Sequence, residues 1–181
     1  PIVGNGAYEN TGFVAFFQTS RKEDQYKLGV SWQAADRLSI DASAKYGKDS
    51  YDSTYGVQKG SKLNVNLDAT YAYSDKNSVN GYITMQNQKR DLYEYKTTTQ
   101  WFTNNLTDDA QTFGLGAKQK DLMGGKWELT EDLTYSLDKT KYNTQVVAGT
   151  ACANSGACGA FPTIRSALTA LKLTGGYKLD K

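Results

Sequence analysis

Few side chains in this sequence could perform catalysis, and those that could are mainly carboxylates. The chain has no histidine, so the commonest general base and metal ligand is missing, and with it any CxxCH haem-attachment motif. Closely spaced carboxylates occur at three places, which are Asp49 with Asp52, Asp108 with Asp109, and Glu128 with Glu131 and Asp132. Such groups can do acid–base or calcium chemistry, but on loops and polar strand faces they are more often simply hydrated. We therefore predict no catalytic residue, no bound cofactor, no metal site and no enzymatic activity in this chain.

The two cysteines, Cys152 and Cys158, lie in the small-residue stretch ACANSGACGA. A short disulfide is sterically easy in such a loop, whereas two cysteines without histidine make a poor zinc site. A reactive redox pair is the alternative, but it normally needs an electropositive setting that this stretch does not supply. The sequence predicts a structural disulfide between Cys152 and Cys158, formed in an oxidising compartment outside the cytoplasm.

Two glycine-rich stretches, GNGAYENTG at 4–12 and GLGAKQK at 114–120, have a faint similarity to phosphate-binding loops. Neither precedes a pattern of helical periodicity, which such a loop requires. Glycines that allow a strand to bend are the better interpretation.

Composition limits the class of protein. Hydrophobic residues make up only 39% of the 181 residues, tyrosine alone contributes 13, and no stretch of about 18 apolar residues could form a transmembrane helix. The mean hydropathy of −0.62 would suit a soluble protein, but a transmembrane strand exposes only every second residue to lipid. The formal charge of +2 is scattered, so nothing favours nucleic acid as a partner.

Apolar residues recur at every second position through most of the chain, which is the signature of β-strands. The segment 37–47, for example, alternates Leu38, Ile40 and Ala42 with Ser39 and Asp41. Eight strands are predicted near 12–19, 25–33, 37–47, 62–73, 78–89, 110–119, 126–137 and 168–179.

Strand length and connection length both favour a membrane barrel. Segments of about ten residues suit tilted strands that cross the hydrocarbon layer. Tight turns at 34–37, 74–77 and 121–125 alternate with longer joins at 48–61, 90–109 and 138–167, as periplasmic turns and outer loops do. The prediction is an all-β fold, an antiparallel transmembrane β-barrel in the bacterial outer membrane. Aromatic residues near strand ends would form its interfacial girdle, namely Tyr46, Tyr51, Tyr55, Tyr71, Tyr73, Trp127 and Tyr135.

Three stretches carry a resemblance to a known family. They are RLSIDASAKYGKDSYDSTYGVQ (37–58), KLNVNLDATYAYSDKNSVNGYITMQNQKRD (62–91) and DDAQTFGLGAKQKDLMGGKWELTEDLTYSLD (108–138). In the order of strand, turn and loop, the chain resembles the MtrB/PioB family of decahaem-associated outer-membrane porins. The resemblance implies a barrel that encloses a periplasmic multihaem c-type cytochrome, with haem c held by that partner, and so supports extracellular electron transfer. A second cytochrome could bind the outer surface.

That family's barrel is much longer than this chain, which begins at Pro1 without a leader pattern and ends on YKLDK. We therefore expect the C-terminal half of a larger barrel. Two other functions remain open at this point. One is a diffusion porin or small-solute channel with the same polar lumen, and the other is a secreted β-rich binding or adhesion module.

Overall fold

The protein is almost entirely β-strand in the computed structural model, which describes residues 19–53, 55–97, 100–148 and 159–179. A four-residue helical segment, Leu122–Gly125, is the only helix among these residues. No helix in the described ranges has the length and apolar character needed to span a bilayer. The strands are β1 (Arg21–Ala35), β2 (Leu38–Tyr51), β3 (Gly56–Ala72), β4 (Ser78–Thr97), β5 (Gln100–Asp121), β6 (Trp127–Ala148), β7 (Gly159–Ala160) and β8 (Ile164–Tyr177).

The strands form one antiparallel sheet in which each pairs with the next from β1 to β6. β7 and β8 both pair with β6, at Asn143↔Ala160 and Thr140↔Ile164. They therefore occupy one strand position, interrupted around Pro162, which has no N–H to donate to the ladder. Within the described residues β1 and β8 lie at the two edges, so this part of the sheet is open and not closed into a barrel.

Regular register turns the alternation along each strand into rows across the sheet. Because successive side chains point to opposite faces and the pairing is regular, residues of like polarity line up from strand to strand. One such row runs through Val30, Ala42, Leu67, Ile83, Phe113 and Tyr135.

At one end of the sheet, which we call the turn end, the connections are short. Asp36 and Arg37 join β1 to β2, and residues 73–77 join β3 to β4. In the join after β5 several residues adopt the left-handed backbone conformation, with φ of 60° at Asp121, 51° at Met123 and positive values at the following two glycines. Asp tolerates this conformation better than most residues, and glycine has no Cβ to oppose it.

The connections at the other end, which we call the loop end, correct the prediction of long loops. β4 and β5 remain paired as far as Thr97↔Gln100, inside the loop predicted at 90–109. β2 ends at Tyr51 and β3 begins at Gly56, inside the predicted 48–61. β6 runs ten residues beyond residue 138, so the join predicted at 138–167 is also partly strand. These stretches lack a regular alternation of apolar and polar residues, and backbone pairing does not require the alternation on which the prediction rested.

The predicted strands at 25–33, 37–47, 62–73, 78–89, 110–119, 126–137 and 168–179 correspond to seven observed strands, all of them longer than predicted. β8 is shifted, because it starts at Ile164 and ends at Tyr177, before the predicted end at 179. The first predicted strand, 12–19, lies outside the described residues except for Thr19, which is not in a strand.

Candidate functional site

The two faces of the sheet differ in chemistry, and this difference defines the candidate site. One face, here called the outer face, carries the apolar rows, and the other, the inner face, carries Ser, Thr, Asn, Gln and charged residues. Among the described residues no hydrophobic side chain is buried, even though many are large. Leu28 is 70% exposed and Leu115 is 66% exposed. A continuous apolar surface of this size needs a covering other than water.

The apolar part of the outer face, the belt, has the height of a bilayer core. In β2 and β3 it runs from Leu38 to Tyr46 and from Leu63 to Tyr71. Nine residues at a rise of about 3.3 Å and a tilt of about 40° span roughly 23 Å, close to the apolar band of outer-membrane barrels.

The belt also runs obliquely across the hydrogen-bonded rows. In β1 the last large apolar residue of the belt toward the turn end is Trp32, which lies in the same hydrogen-bonded row as Leu133 of β6. In β6, however, the belt continues beyond Leu133 as far as Trp127. Strands that tilt relative to the membrane normal produce this offset between rows and membrane plane.

Aromatic residues mark both edges of the belt. Tyr26 and Tyr46 face each other on the loop-end side, and the rings of Trp127 and Tyr177 lie 4.9 Å apart on the turn-end side. Amphipathic rings prefer the headgroup region, so this placement fits an interfacial girdle. Tyr51, predicted to belong to the girdle, instead lies on the inner face with the Arg21 guanidinium 6.0 Å from its ring.

The inner face is held together by hydrogen bonds between neighbouring strands. Thr112 and Ser136 hydroxyls are 3.0 Å apart, Asn66 donates to Ser43 over 3.2 Å, and Thr140 donates to Asp108 over 2.7 Å. These short polar side chains leave a hydrated surface with few protrusions. Apolar exceptions on this face include Leu168 in β8, which is 64% exposed.

Tyr82, on the inner face of β4, makes contacts that extend over β5 to β6. Its ring lies over Gly114 in β5, where an added Cβ would overlap the ring. Its hydroxyl lies 3.1 Å from Thr134 Oγ1 in β6. Gly114, the first glycine of the GLGAKQK stretch, thus serves strand packing, because only a residue without Cβ allows the ring to cover the backbone.

A charged cluster occupies the inner face near the loop end. Arg21 donates to Asp49 through Nε at 3.0 Å and Nη2 at 2.6 Å, and it also pairs with Glu23 at 2.9 Å. Lys62 Nζ lies 3.9 Å from Glu23. Asp49 is the only buried charged residue in the described part of the chain. Both guanidinium donors bind the same carboxylate oxygen, Oδ1, so Asp49 serves as a structural group that anchors Arg21.

The carboxylates that are close in sequence do not form pairs in the structure. Asp108 faces inward, whereas Asp109 faces outward and accepts from Asn87 over 2.5 Å. Strand alternation likewise separates outward Glu131 from Asp132. Asp49 pairs with Arg21 while Asp52 lies in the following turn. Within the described residues no group of three His, Cys, Asp or Glu could hold a metal ion. Cys152 and Cys158 lie outside those residues, so their disulfide stays a prediction.

Ion pairs tie the connections at the turn end to one another. Lys76, in the join before β4, donates to Asp121 at the end of β5, and Lys178 Nζ lies 4.0 Å from the same carboxylate. The hydrogen bond from Lys76 lowers the pKa of Asp121 below its usual value. Glu128 lies 3.6 Å from Lys118 on the neighbouring strand. These contacts fix the hairpins relative to each other outside the apolar belt.

An antiparallel sheet of long strands with an apolar outer belt, aromatic edges and a hydrated inner face is typical of a β-barrel of the outer membrane. Residues 4–181 match the family described as "Putative outer membrane beta-barrel porin, MtrB/PioB". The chain belongs to this family, and the predicted fold class and outer-membrane location are confirmed. An outer-membrane location excludes the secreted adhesion module.

Among solved structures, the chain is similar to the ferric citrate transporter FecA in its unliganded form, with a TM-score of 0.67 and 12% sequence identity. The similarity covers 88% of this chain and 28% of the transporter chain, and at this identity it concerns the fold alone. No curated protein sequence matches this chain significantly.

Proposed function

We propose that this chain forms part of an outer-membrane porin whose lumen houses a periplasmic multihaem c-type cytochrome, so that electrons cross the membrane inside the barrel. Haem c belongs to that partner, and a second cytochrome binds the outer surface. Membership of the MtrB/PioB family is the observation that carries the proposal. The protein supplies an insulating wall and a binding surface, and the cofactors supply the redox chemistry.

The chemistry of the inner face supports a protein partner. Its hydroxyl and amide side chains are neutral donors and acceptors that can pair with another hydrated protein surface, directly or through water. Short residues such as Thr112 and Ser136 allow close approach, and Tyr82 is folded down over Gly114 instead of projecting into the lumen.

The length of the strands supports a long tube. β4 continues from Asn87 to Thr97 beyond the end of the belt, and β5 and β6 extend beside it. Eleven tilted residues add roughly 28 Å to the wall. A wall that extends beyond the bilayer would shield an elongated partner from lipid and solvent along more of its length.

The first test is to purify the full-length native complex in detergent and record its haem absorbance per barrel. Stoichiometric c-type haem that survives high salt and gel filtration supports the proposal. A Thr112→Trp/Ser136→Trp variant, which fills the inner face, is expected to lose most of this haem. The control is Phe113→Trp on the outer face of β5, which should keep it. Both variants are first checked for folding by heat-modifiable gel mobility.

A diffusion porin or small-solute channel is the second candidate, because the family description names a porin and the same polar face would line a water-filled pore. A colourless barrel that conducts ions in a planar bilayer would contradict the sheath and favour the channel. The inner-face tryptophans would then reduce conductance.

A further inference from the structure

A group of lysines on the outer face lies just beyond the loop-end edge of the belt, where lipid headgroups would be. Lys22, Lys48, Lys59 and Lys89 belong to the four consecutive strands β1 to β4 and line one shallow concavity. We propose that this lysine cluster binds the phosphorylated headgroup of an outer-leaflet glycolipid of the lipid A type.

The register explains how the lysines come together. Ser50 is paired with both Lys22 and Lys59, and Ser61 is paired with both Lys48 and Lys89, so two Lys–Ser–Lys rows lie side by side. Neighbouring strands are about 4.8 Å apart, which places the lysines of one row about 10 Å apart. Flexible lysine side chains can cover that separation and converge on a phosphate between them, while each serine hydroxyl offers a further donor.

The position of the cluster relative to the belt shows which layer of the membrane surrounds it. Tyr26 and Tyr46 lie in the row immediately below it, and below them the belt begins. Interfacial tyrosines mark the headgroup level, so the lysine ammonium groups extend into the phosphate layer. The longest connection between strands, residues 149–158 between β6 and β7, lies at the loop end, and long connections face outward in outer-membrane barrels. The leaflet concerned is therefore the outer one.

The charge of the cluster is available for a ligand. All four lysines are exposed, and within the described residues none of them forms an ion pair with a carboxylate. Three acidic residues also line the concavity, and one of them, Asp49, is paired with inner-face Arg21. Asp91 lies opposite Lys59 and accepts from Asn105 over 2.7 Å, and Asp24 lies opposite Lys48. Four lysines against these two carboxylates leave the group with a net positive charge. Inner-face Arg21 and Lys62, by contrast, both pair with Glu23.

The test uses the full-length barrel in nanodiscs that contain bisphosphorylated lipid A, with bound lipid measured by native mass spectrometry. Changing all four lysines to glutamine is expected to reduce retained lipid A roughly tenfold or more, because each basic residue near an anionic headgroup adds electrostatic attraction. The matched control is Lys27→Gln/Lys45→Gln, which removes charge from the inner face of β1 and β2 and should leave retention unchanged.

Dephosphorylated lipid A and phosphatidylglycerol provide the two competing arms. The proposal expects weak retention of both, because the first has no phosphate and the second has no phosphorylated sugar to bridge two rows. Equal retention by the four-lysine variant, or equal binding of either competing lipid, would overturn it. Haem content plays no part in this readout, so the result is independent of the cytochrome partner.

Discussion

The strands of this protein have two halves that share backbone pairing but differ in their surroundings. In β4 the half within the belt carries Val79, Ile83 and Met85 on the outer face, whereas the half beyond it carries Asn87 and Lys89 on that face. The ladder to β5 continues through both. Backbone hydrogen bonds therefore hold both halves of the strand in the sheet, whereas the polarity of the side chains on each face follows from whether that face meets lipid or water.

This difference separates two sources of stability. In the belt, an apolar outer row interacts with lipid, and every backbone group must be paired because no water is available. In the half beyond the belt, at the loop end, the outer face meets headgroups and water, and inner-face contacts such as Arg21–Asp49 hold the strands together. Substitutions at matched positions in the two halves should thus have different effects.

The largest expected effect comes from a charge placed in the belt. Phe113→Arg, on the outer face of β5, should destabilise the barrel in vesicles by about 2–4 kcal/mol, the cost of a lipid-facing arginine near the midplane. Thr103→Arg, on the same face of the same strand but beyond the belt, lies opposite uncharged Tyr93 and Gln145 and should change stability by less than about 0.5 kcal/mol. Urea unfolding in lipid vesicles measures both, and equal costs would contradict the position of the belt.

Two glycine substitutions at the same level of the sheet, one on each face, should differ in their cost to stability. Gly114→Ala should cost about 1–3 kcal/mol, because the new methyl group displaces the Tyr82 ring and its contact with Thr134. Gly81→Ala on the outer face would place its methyl group 3.4 Å from Leu115 Cδ2 and 3.8 Å from the Gly114 carbonyl oxygen, and it should be nearly neutral. The same unfolding assay applies. Tyr82→Ala combined with Gly114→Ala should show less than the additive loss, and full additivity would argue against direct contact.

A smaller effect is expected in the half beyond the belt. Asp49→Asn weakens the ion pair in which two Arg21 donors share Asp49 Oδ1, and it should cost about 1 kcal/mol, limited by the partial exposure of the guanidinium. Asp52→Asn in the adjacent turn is the control and should have no measurable effect. The loss should diminish at high salt, and a salt-independent loss would indicate a packing defect instead.

The smallest effect is expected at the turn end. The pKa of Asp121 is lowered from its ordinary 3.8, mainly by the hydrogen bond from Lys76. A carboxylate with a depressed pKa contributes stability above its unfolded pKa, and this contribution is lost as pH falls through the folded value. Lys76→Gln should therefore reduce stability slightly at neutral pH and bring no difference at pH 2. A difference that grew on acidification would contradict this assignment.

Much of the fold was predictable because the belt imposes alternation on the sequence. Leu38 to Tyr46 and Leu63 to Tyr71 alternate cleanly, and both segments lie within observed strands. The prediction was wrong where water meets both faces, as at 90–109, because an alternation of apolar and polar residues disappears there while pairing persists. β-Propensity alone, such as the aromatics and threonines near Trp101, was the available signal.

The site was less predictable than the fold. Sequence spacing suggested carboxylate pairs such as Asp108 and Asp109, but strand alternation directs neighbours to opposite faces. The Tyr82–Gly114 contact and the lysine cluster depend on register between strands, which the sequence does not state directly. A lysine two or four residues beyond an interfacial tyrosine, as at Lys48 after Tyr46, was a usable local signal.

The most direct test of this account places spin labels on adjacent residues of β5 in the full-length native complex, with Cys152 and Cys158 replaced by serine. A label at Phe113 should be accessible to oxygen dissolved in lipid. A label at Thr112 should be shielded from oxygen in the lipid and should relax faster through nearby ferric haem. Equal lipid exposure at both sites would contradict the face assignment, and a Thr112 label that is open to water and unaffected by haem would contradict the sheath.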